Sequence, residues 1–350
     1  MASQVQHGGA WLPVPVVVIV QVAFAAMNVL TKQVLDAGMN RFVFITYRQL
    51  VATISVGPIA YFAERHKRPK LTGSIFLLLF LSALLGLTLT QYFFFFGLQH
   101  TTATFSCAFV NMIPVLTFII ALPFGMETVN IKKMAGVFKV VGTVVCVGGA
   151  MLLTLYKGKA LTHPSANLVQ QASKSLVELQ KGWLLGSLSL LGGSFAWSSW
   201  FIVQAKIAKS YPALYSNNAI VSLLSCIQCA SFTLLFHRDP SLWALRGRLQ
   251  LITILYTGAV CSGLAYIMMA WCVEKRGPLF TAAFSPLIQV VVAIIEVLFL
   301  HEQLHLGSVI GSVVVVIGLY LLLCGKSKDN ECRTAKQTQA INENPAAELV

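Results

Sequence analysis

The chain has 350 residues, 57% of them apolar and only 11% charged, with a net charge of +13 and a mean hydropathy of +0.76. Soluble domains carry roughly 25% charged residues, so a water-soluble fold is excluded for want of polar surface. The basic excess excludes itself as a nucleic-acid signal, because Lys and Arg stand in short runs between apolar blocks, as in Arg65-His66-Lys67-Arg68-Pro69-Lys70.

Taken in chain order, residues 1–13 form a short N-terminal segment without Lys or Arg, which does not match a cleavable signal pattern. Apolar blocks follow at 14–35, 43–62, 74–98, 102–124 and 134–154, then at 183–205, 214–236, 249–271, 279–300 and 306–324. Each is near the roughly 20 residues needed to cross a hydrocarbon core. In lipid a segment must satisfy its own backbone groups, so these blocks predict helices. The expected fold is an all-α membrane protein with ten transmembrane helices. A polar stretch at 155–182 splits the helices five and five, and the tail 325–350 is polar without apolar period and is predicted disordered.

The two parts, 14–154 and 183–324, repeat one another. Pro114, Glu127 and Gly136 recur in order as Pro286, Glu302 and Gly311, with Glu and Gly nine residues apart in both. An odd number of helices per copy forces the second to start on the opposite side, which predicts inverted repeats. That architecture belongs to alternating-access carriers, with the substrate held near the midplane between repeats. Lys and Arg are more numerous in the loops on the N-terminal side, which predicts both termini in the cytoplasm.

Polar residues at helical spacing mark the faces turned inward. Gln21, Asn28 and Lys32 lie on one face of the first span, Thr104, Cys107, Asn111 and Pro114 on one face of the fourth, and Thr281, Ser285, Gln289 and Glu296 on one face of the ninth. Ser187, Ser194 and Ser198 form a further stripe, best read as inter-helix packing. Asn28, Asn111, Gln289 and Glu296 are the expected polar contacts to a substrate, and Tyr92, Trp197 and Tyr266 are aromatic residues placed to stack on one. A carboxylate at the depth of Glu296 costs about 2.5–3.5 kcal/mol to insert. Two readings stand: it titrates and couples transport to protons, or it pairs with a buried cation such as Lys139. Lys32, Arg48 and Lys206 are near enough to helix ends to snorkel. Pro114 and Pro286 each free a carbonyl one turn earlier and are candidate hinges. Cys226-x-x-Cys229 lacks a second pair, so no metal is expected and no catalytic residue is assigned. No nucleophile–base pair stands at membrane depth and no filter-like loop joins two spans, so an enzyme or channel ranks below a carrier. A transport-inactive regulatory or scaffold protein is the alternative of another class.

The segment "LQKGWLLGSLSLLGGSFAWSSWFIVQAKIAKSYPALYSN" resembles the start of the second half in plant nodulin-21-like, walls-are-thin-related (UMAMIT) proteins. These belong to the EamA branch of the drug/metabolite transporter superfamily. "NRFVFITYRQLVAT", "NMIPVLTFIIALPF" and "RGPLFTAAFSPLIQVVVAIIEVLFLHEQLHLGSVIGSVVVVIGLYLLLCGK" resemble further signatures of the group, together spanning nearly the whole ordered chain. The resemblance implies two EamA repeats of five helices and movement of small organic solutes, amino acids first and auxin or another plant metabolite as the alternative. It also implies a multi-pass protein of the plasma membrane, with vacuole and endoplasmic reticulum as other addresses. The partners expected are a small-molecule substrate and the lipid bilayer, with self-association left open and no cofactor beyond a coupling proton. Gly125, His301 and Cys324 depart from the group's usual residues.

Overall fold

The computed structural model describes residues 12–65, 68–100, 109–126, 133–156, 176–236, 240–245, 247–299, 307, 310, 311, 313–325 and 328. Helix α1 spans Pro13–Asp36 and α2 spans Arg41–Glu64. Helix α3 runs as one rod through Gly73–Ser82, Ala83–Leu89 and Thr90–His100. There follow α4 (Ile113–Ala121), α5 (Met134–Leu155), α6 (Leu176–Ser210) and α7 (Leu214–Phe236). Helix α8 runs through Arg248–Tyr256, Thr257–Ala265 and Tyr266–Arg276. Helices α9 (Pro278–Ala283), α10 (Leu287–Phe299) and α11 (Val313–Gly325) complete the described chain. Helix α6 starts inside the stretch read from sequence as linker, and Glu127, His301 and Glu302 lie outside the described residues.

Five of these rods are long and apolar enough to cross a bilayer: Pro13–Leu35, Arg41–Glu64, Gly73–Gly97, Leu214–Leu235 and Arg248–Arg276. Large apolar side chains such as Ile19, Ile54, Phe62, Leu77, Leu235 and Ile252 point outward along them. In water that surface would drive aggregation; against lipid it is the expected exterior. The protein is therefore a multi-pass, all-α membrane protein.

Helix starts follow local chemistry. Asn40 Oδ1 accepts from the N–H groups of Phe42 and Val43 at 3.0 and 3.5 Å, and Thr72 Oγ1 accepts from Ile75 N at 3.4 Å. Gly277, at φ 87°, turns the chain between α8 and α9 while its N–H donates to Val273 O.

Two irregularities recur in matching places. The middle segments of α3 and α8, Ala83–Leu89 and Thr257–Ala265, are π-helical. Helix α4 starts after a break at Asn111-Met112, and α9 is separated from α10 by a turn at Phe284-Ser285-Pro286. The same stretch of chain separates Gly86 from Gly258, inside the two π-segments, as separates Pro114 from Pro286 at the two breaks. From sequence these prolines are candidate hinges within continuous spans. Instead the helices stop: Pro114 sits in the first turn of α4, where its missing N–H breaks no bond.

Helices α5 and α11 pack antiparallel at close range. A Cβ on Gly142 would strike the backbone at Leu322, one on Gly149 the backbone at Val315, one on Gly318 the backbone at Cys146, and one on Gly325 the backbone at Lys139. The four contacts step evenly along both helices, so glycines on alternate partners set the approach.

Candidate functional site

The long helices run between two ends of the bundle, the Asn40 end and the Glu64 end. The Glu64 end is sealed. Glu64 Oε1 and Oε2 accept from the N–H groups of Tyr215 and Ser216 at 3.2 and 2.7 Å, so a carboxylate at the close of α2 caps the start of α7. Tyr211 and Ala213 are buried beside it, and Gln204 links Ser82 (3.1 Å) to Asn217 (3.0 Å) across α3, α6 and α7. Val17, Cys272, Phe280 and Phe284 close the neighbouring quarter.

The Asn40 end is exposed along α1. Pro15, Ile19 and Val22 mark the lipid face of that helix, and Gln21, Phe24 and Ala25 mark its buried face. Asn28 and Lys32 belong by helical angle with Gln21, yet both are exposed. The inward polar stripe of α1 is thus buried at the level of Gln21 and exposed toward the Asn40 end, at Asn28 and Lys32.

At mid-depth the two broken helices meet. Asn111 Nδ2 donates to Gln289 Oε1 at 3.0 Å, joining the break before α4 to the first turn of α10. Serines from α6 hold the α4 break in place: Ser194 Oγ donates to Phe109 O at 2.8 Å and Ser198 Oγ to Ile113 O at 3.2 Å. The packing role expected of these serines is therefore what they perform. Ile113 and Ile288 belong to the same core cluster as Trp197, Trp200 and Tyr266. Trp197 stacks on Trp200 (5.0 Å between centroids, 20°), and Tyr266 stands edge-on to both and to Phe24. Trp200 fits only because Gly86 has no side chain, since a Cβ there would enter the indole ring.

Of the residues singled out from sequence, Asn111, Gln289, Trp197 and Tyr266 come together here, with Pro114 and Pro286 at the two breaks. Asn28 is exposed on α1, two turns beyond the buried Gln21. Tyr92 lies apart, near the Asn40 end, stacked on Phe42 at 4.7 Å with its hydroxyl donated to Cys229 O at 3.2 Å. Glu296 is on α10 two turns beyond Gln289, with its side chain outside the described set, and Lys139 is wholly buried on α5.

Three residues were missed. Arg48 does not snorkel: its side chain is 3% exposed and its Nε donates to Ser262 Oγ at 2.6 Å. That serine lies in the π-segment of α8, whose carbonyls at Ser262 and Gly263 accept from Asn218 Nδ2 at 3.1 and 3.0 Å. Pairing between segments so distant leaves no periodic signal, and the available hint was the depth of Arg48, two turns inside α2. Among the described residues no group of His, Cys, Asp and Glu could hold a metal ion. Cys226 and Cys229 are spent on Thr46 O and Thr88 Oγ1.

The EamA-like transporter family model matches this sequence twice, over residues 11–155 and 184–324. The WAT1-related protein At3g30340 of Arabidopsis thaliana is 46% identical, over 93% of this chain and 90% of its own. The WAT1-related proteins At4g01440 and At4g01450 of the same plant are 43% and 41% identical, covering 91% and 97% of this chain and 87% and 94% of theirs. A protein crystal structure superposes with a TM-score of 0.66, over 89% of this chain and 96% of its own at 14% identity, which is likeness of fold alone.

Proposed function

Because this chain belongs to the EamA-like transporter family, a family of small-molecule transporters and not of enzymes, we propose that it is a carrier for amino acids working by alternating access of two inverted five-helix repeats. The observation that carries the reading is the meeting of two broken helices, one from each matched part of the chain, at the Asn111–Gln289 hydrogen bond. Broken helices at mid-depth expose backbone groups to a solute without leaving them in lipid. The recurrence of π-segments and breaks at equal spacing supports the repeat, with domains at 14–154 and 183–324 joined by the linker 155–182 and followed by the tail 325–350.

With both termini in the cytoplasm, the Asn40 end faces outward, and the arrangement is a carrier sealed on its cytoplasmic side. Asn28 lines the entry, Asn111 and Gln289 offer amide groups to the solute, and Trp197 and Tyr266 form an apolar wall. Pro114 and Pro286 mark where the half-helices swing. Tyr92 serves the substrate less directly, as part of the packing between α2, α3 and α7. Glu296 is the group that takes up a coupling proton. The plasma membrane is the favoured address. Auxin is the second solute to try, since an aromatic wall suits a flat ring.

Purified protein in liposomes, given radiolabelled amino acids or auxin with and without a pH gradient, tests the reading. Saturable flux of at least one amino acid is expected. Folded protein that moves none of them overturns the substrate class, and folded protein that moves no small organic solute overturns the carrier.

A further inference from the structure

Arg48 is a buried cation in the middle of this bundle, and the chain gives it little company. Its Nε donates to Ser262 Oγ at 2.6 Å. Among the described residues its other guanidinium nitrogens have no hydrogen bond and no carboxylate forms an ion pair with it. The nearby carbonyls of Ser262 and Gly263 accept from Asn218 Nδ2 and not from Arg48. A guanidinium carries five N–H donors, and a charge inside a membrane bundle is expensive unless it is paired.

The surroundings suit a partner that arrives from outside the chain. Ser262 fixes the inner edge of the guanidinium, which leaves the outer fork free for a bidentate acceptor. Tyr266, one turn beyond Ser262 on α8, stands edge-on to Trp197 and Trp200. The Ala23 carbonyl, bonded by Tyr256 Oη and Cys261 Sγ, puts the middle of α1 at the level of the π-segment. Asn28 is only about 8 Å further along α1, so the exposed inner stripe leads to this level.

We propose that Arg48 anchors the carboxylate of the transported solute, whose apolar body lies against Trp197 and Tyr266. The proposal rests on the carrier reading and names the group by which that site recognises its substrate. The solute carboxylate then supplies the counter-charge of Arg48, so the cation is paired when the site is loaded and unpaired when it is empty. A solute with the same body but a carboxamide gives the fork one acceptor oxygen and no charge.

The test is ligand-induced thermal stabilisation of the full chain in detergent, which needs no transport. The probes are matched pairs: phenylalanine against phenylalaninamide, and indole-3-acetate against indole-3-acetamide. The wild type is expected to bind at least one carboxylate at least tenfold more tightly than its amide. Arg48→Gln should lose that discrimination, and Arg48→Lys should keep part of it because the charge survives without the fork. Wild-type protein that binds both members of each pair equally, or binds only the amides, overturns the anchor even if Arg48→Gln fails to fold. A folded Arg48→Gln that still prefers the carboxylate tenfold overturns it as well. Loss of flux with carboxylate preference intact would count against the carrier reading and leave the anchor standing.

Discussion

At the scale of single residues, Glu64 shows how one side chain serves two elements. A carboxylate is unfavourable at the C-terminal end of its own helix, α2, where the dipole is negative. It is tolerated because it points away, into the N–H groups that open α7. Glu64→Gln keeps the shape and removes the charge, and should cost about 1 kcal/mol of stability, read as a lower unfolding midpoint in detergent. An unchanged midpoint would mean that the cap adds nothing to the bundle. Gln289 belongs to the same scale. Its amide holds the two breaks together through Asn111, so Gln289→Leu removes the link without removing bulk. Flux should fall at least about tenfold, the equivalent of one hydrogen bond of about 1.4 kcal/mol, while protein yield stays as in the wild type. Asn111, Gln289, Trp197 and Tyr266 were legible from the sequence because each lies on an inward stripe or is aromatic at membrane depth. Arg48 was not, since depth within a span is ambiguous by a turn or two and its partner Ser262 lies in the other matched part of the chain.

At the scale of elements, hydrophobic block length placed α1, α2, α3, α5 and α7 within a few residues, because lipid thickness fixes that length. It started α6 seven residues late and read α9 and α10 as one span. The irregular segments were harder. A π-segment has no residue signature, so Ala83–Leu89 and Thr257–Ala265 read as ordinary apolar helix. The breaks left a trace in Pro114 and Pro286, but proline does not say whether a helix bends or stops. A glycine in the sequence likewise does not say which helix it packs on. The structure assigns α5 to α11, and it separates two adjacent glycines on α5 sharply. A Cβ on Gly149 would meet the backbone at Val315, whereas nothing lies within 4 Å of one on Gly148. Gly149→Leu should therefore force the helices apart, at a cost of about 3 kcal/mol or more. Gly148→Leu faces outward and should be tolerated. The pair is compared by yield and by monodispersity on size exclusion. Equal behaviour of the two variants would show that α5 does not pack on α11 through this face.

At the scale of the whole molecule, Tyr211 and Phe280 are buried at the end that Glu64 caps, whereas Asn28 and Lys32 are exposed toward the other. That is the asymmetry the proposed carrier would exchange. Cores and packed interfaces switch between discrete arrangements and do not deform smoothly. If the two matched parts of the chain rock as units, exposure at the two ends must trade places. Cysteine substitution makes the exchange visible. In the arrangement described, Asn28→Cys should react with a membrane-impermeant maleimide applied from the Asn40 side, and Tyr211→Cys should resist the same reagent from the Glu64 side. The native thiols at Cys146, Cys229, Cys261 and Cys272 are buried, and the labelling is read in a background in which Cys107, Cys226, Cys324 and Cys332 are replaced by Ser. A transported solute should slow labelling at position 28 and speed it at position 211, because binding lets the sealed end open. Glu64→Gln should raise labelling at position 211 even without solute, since about 1 kcal/mol is enough to shift a two-state population roughly fivefold. Position 28 reacting no faster than the buried thiols would sink the proposed entry. Labelling at both positions that ignores solute and the Glu64 substitution alike would leave the bundle standing and remove the alternating motion from it.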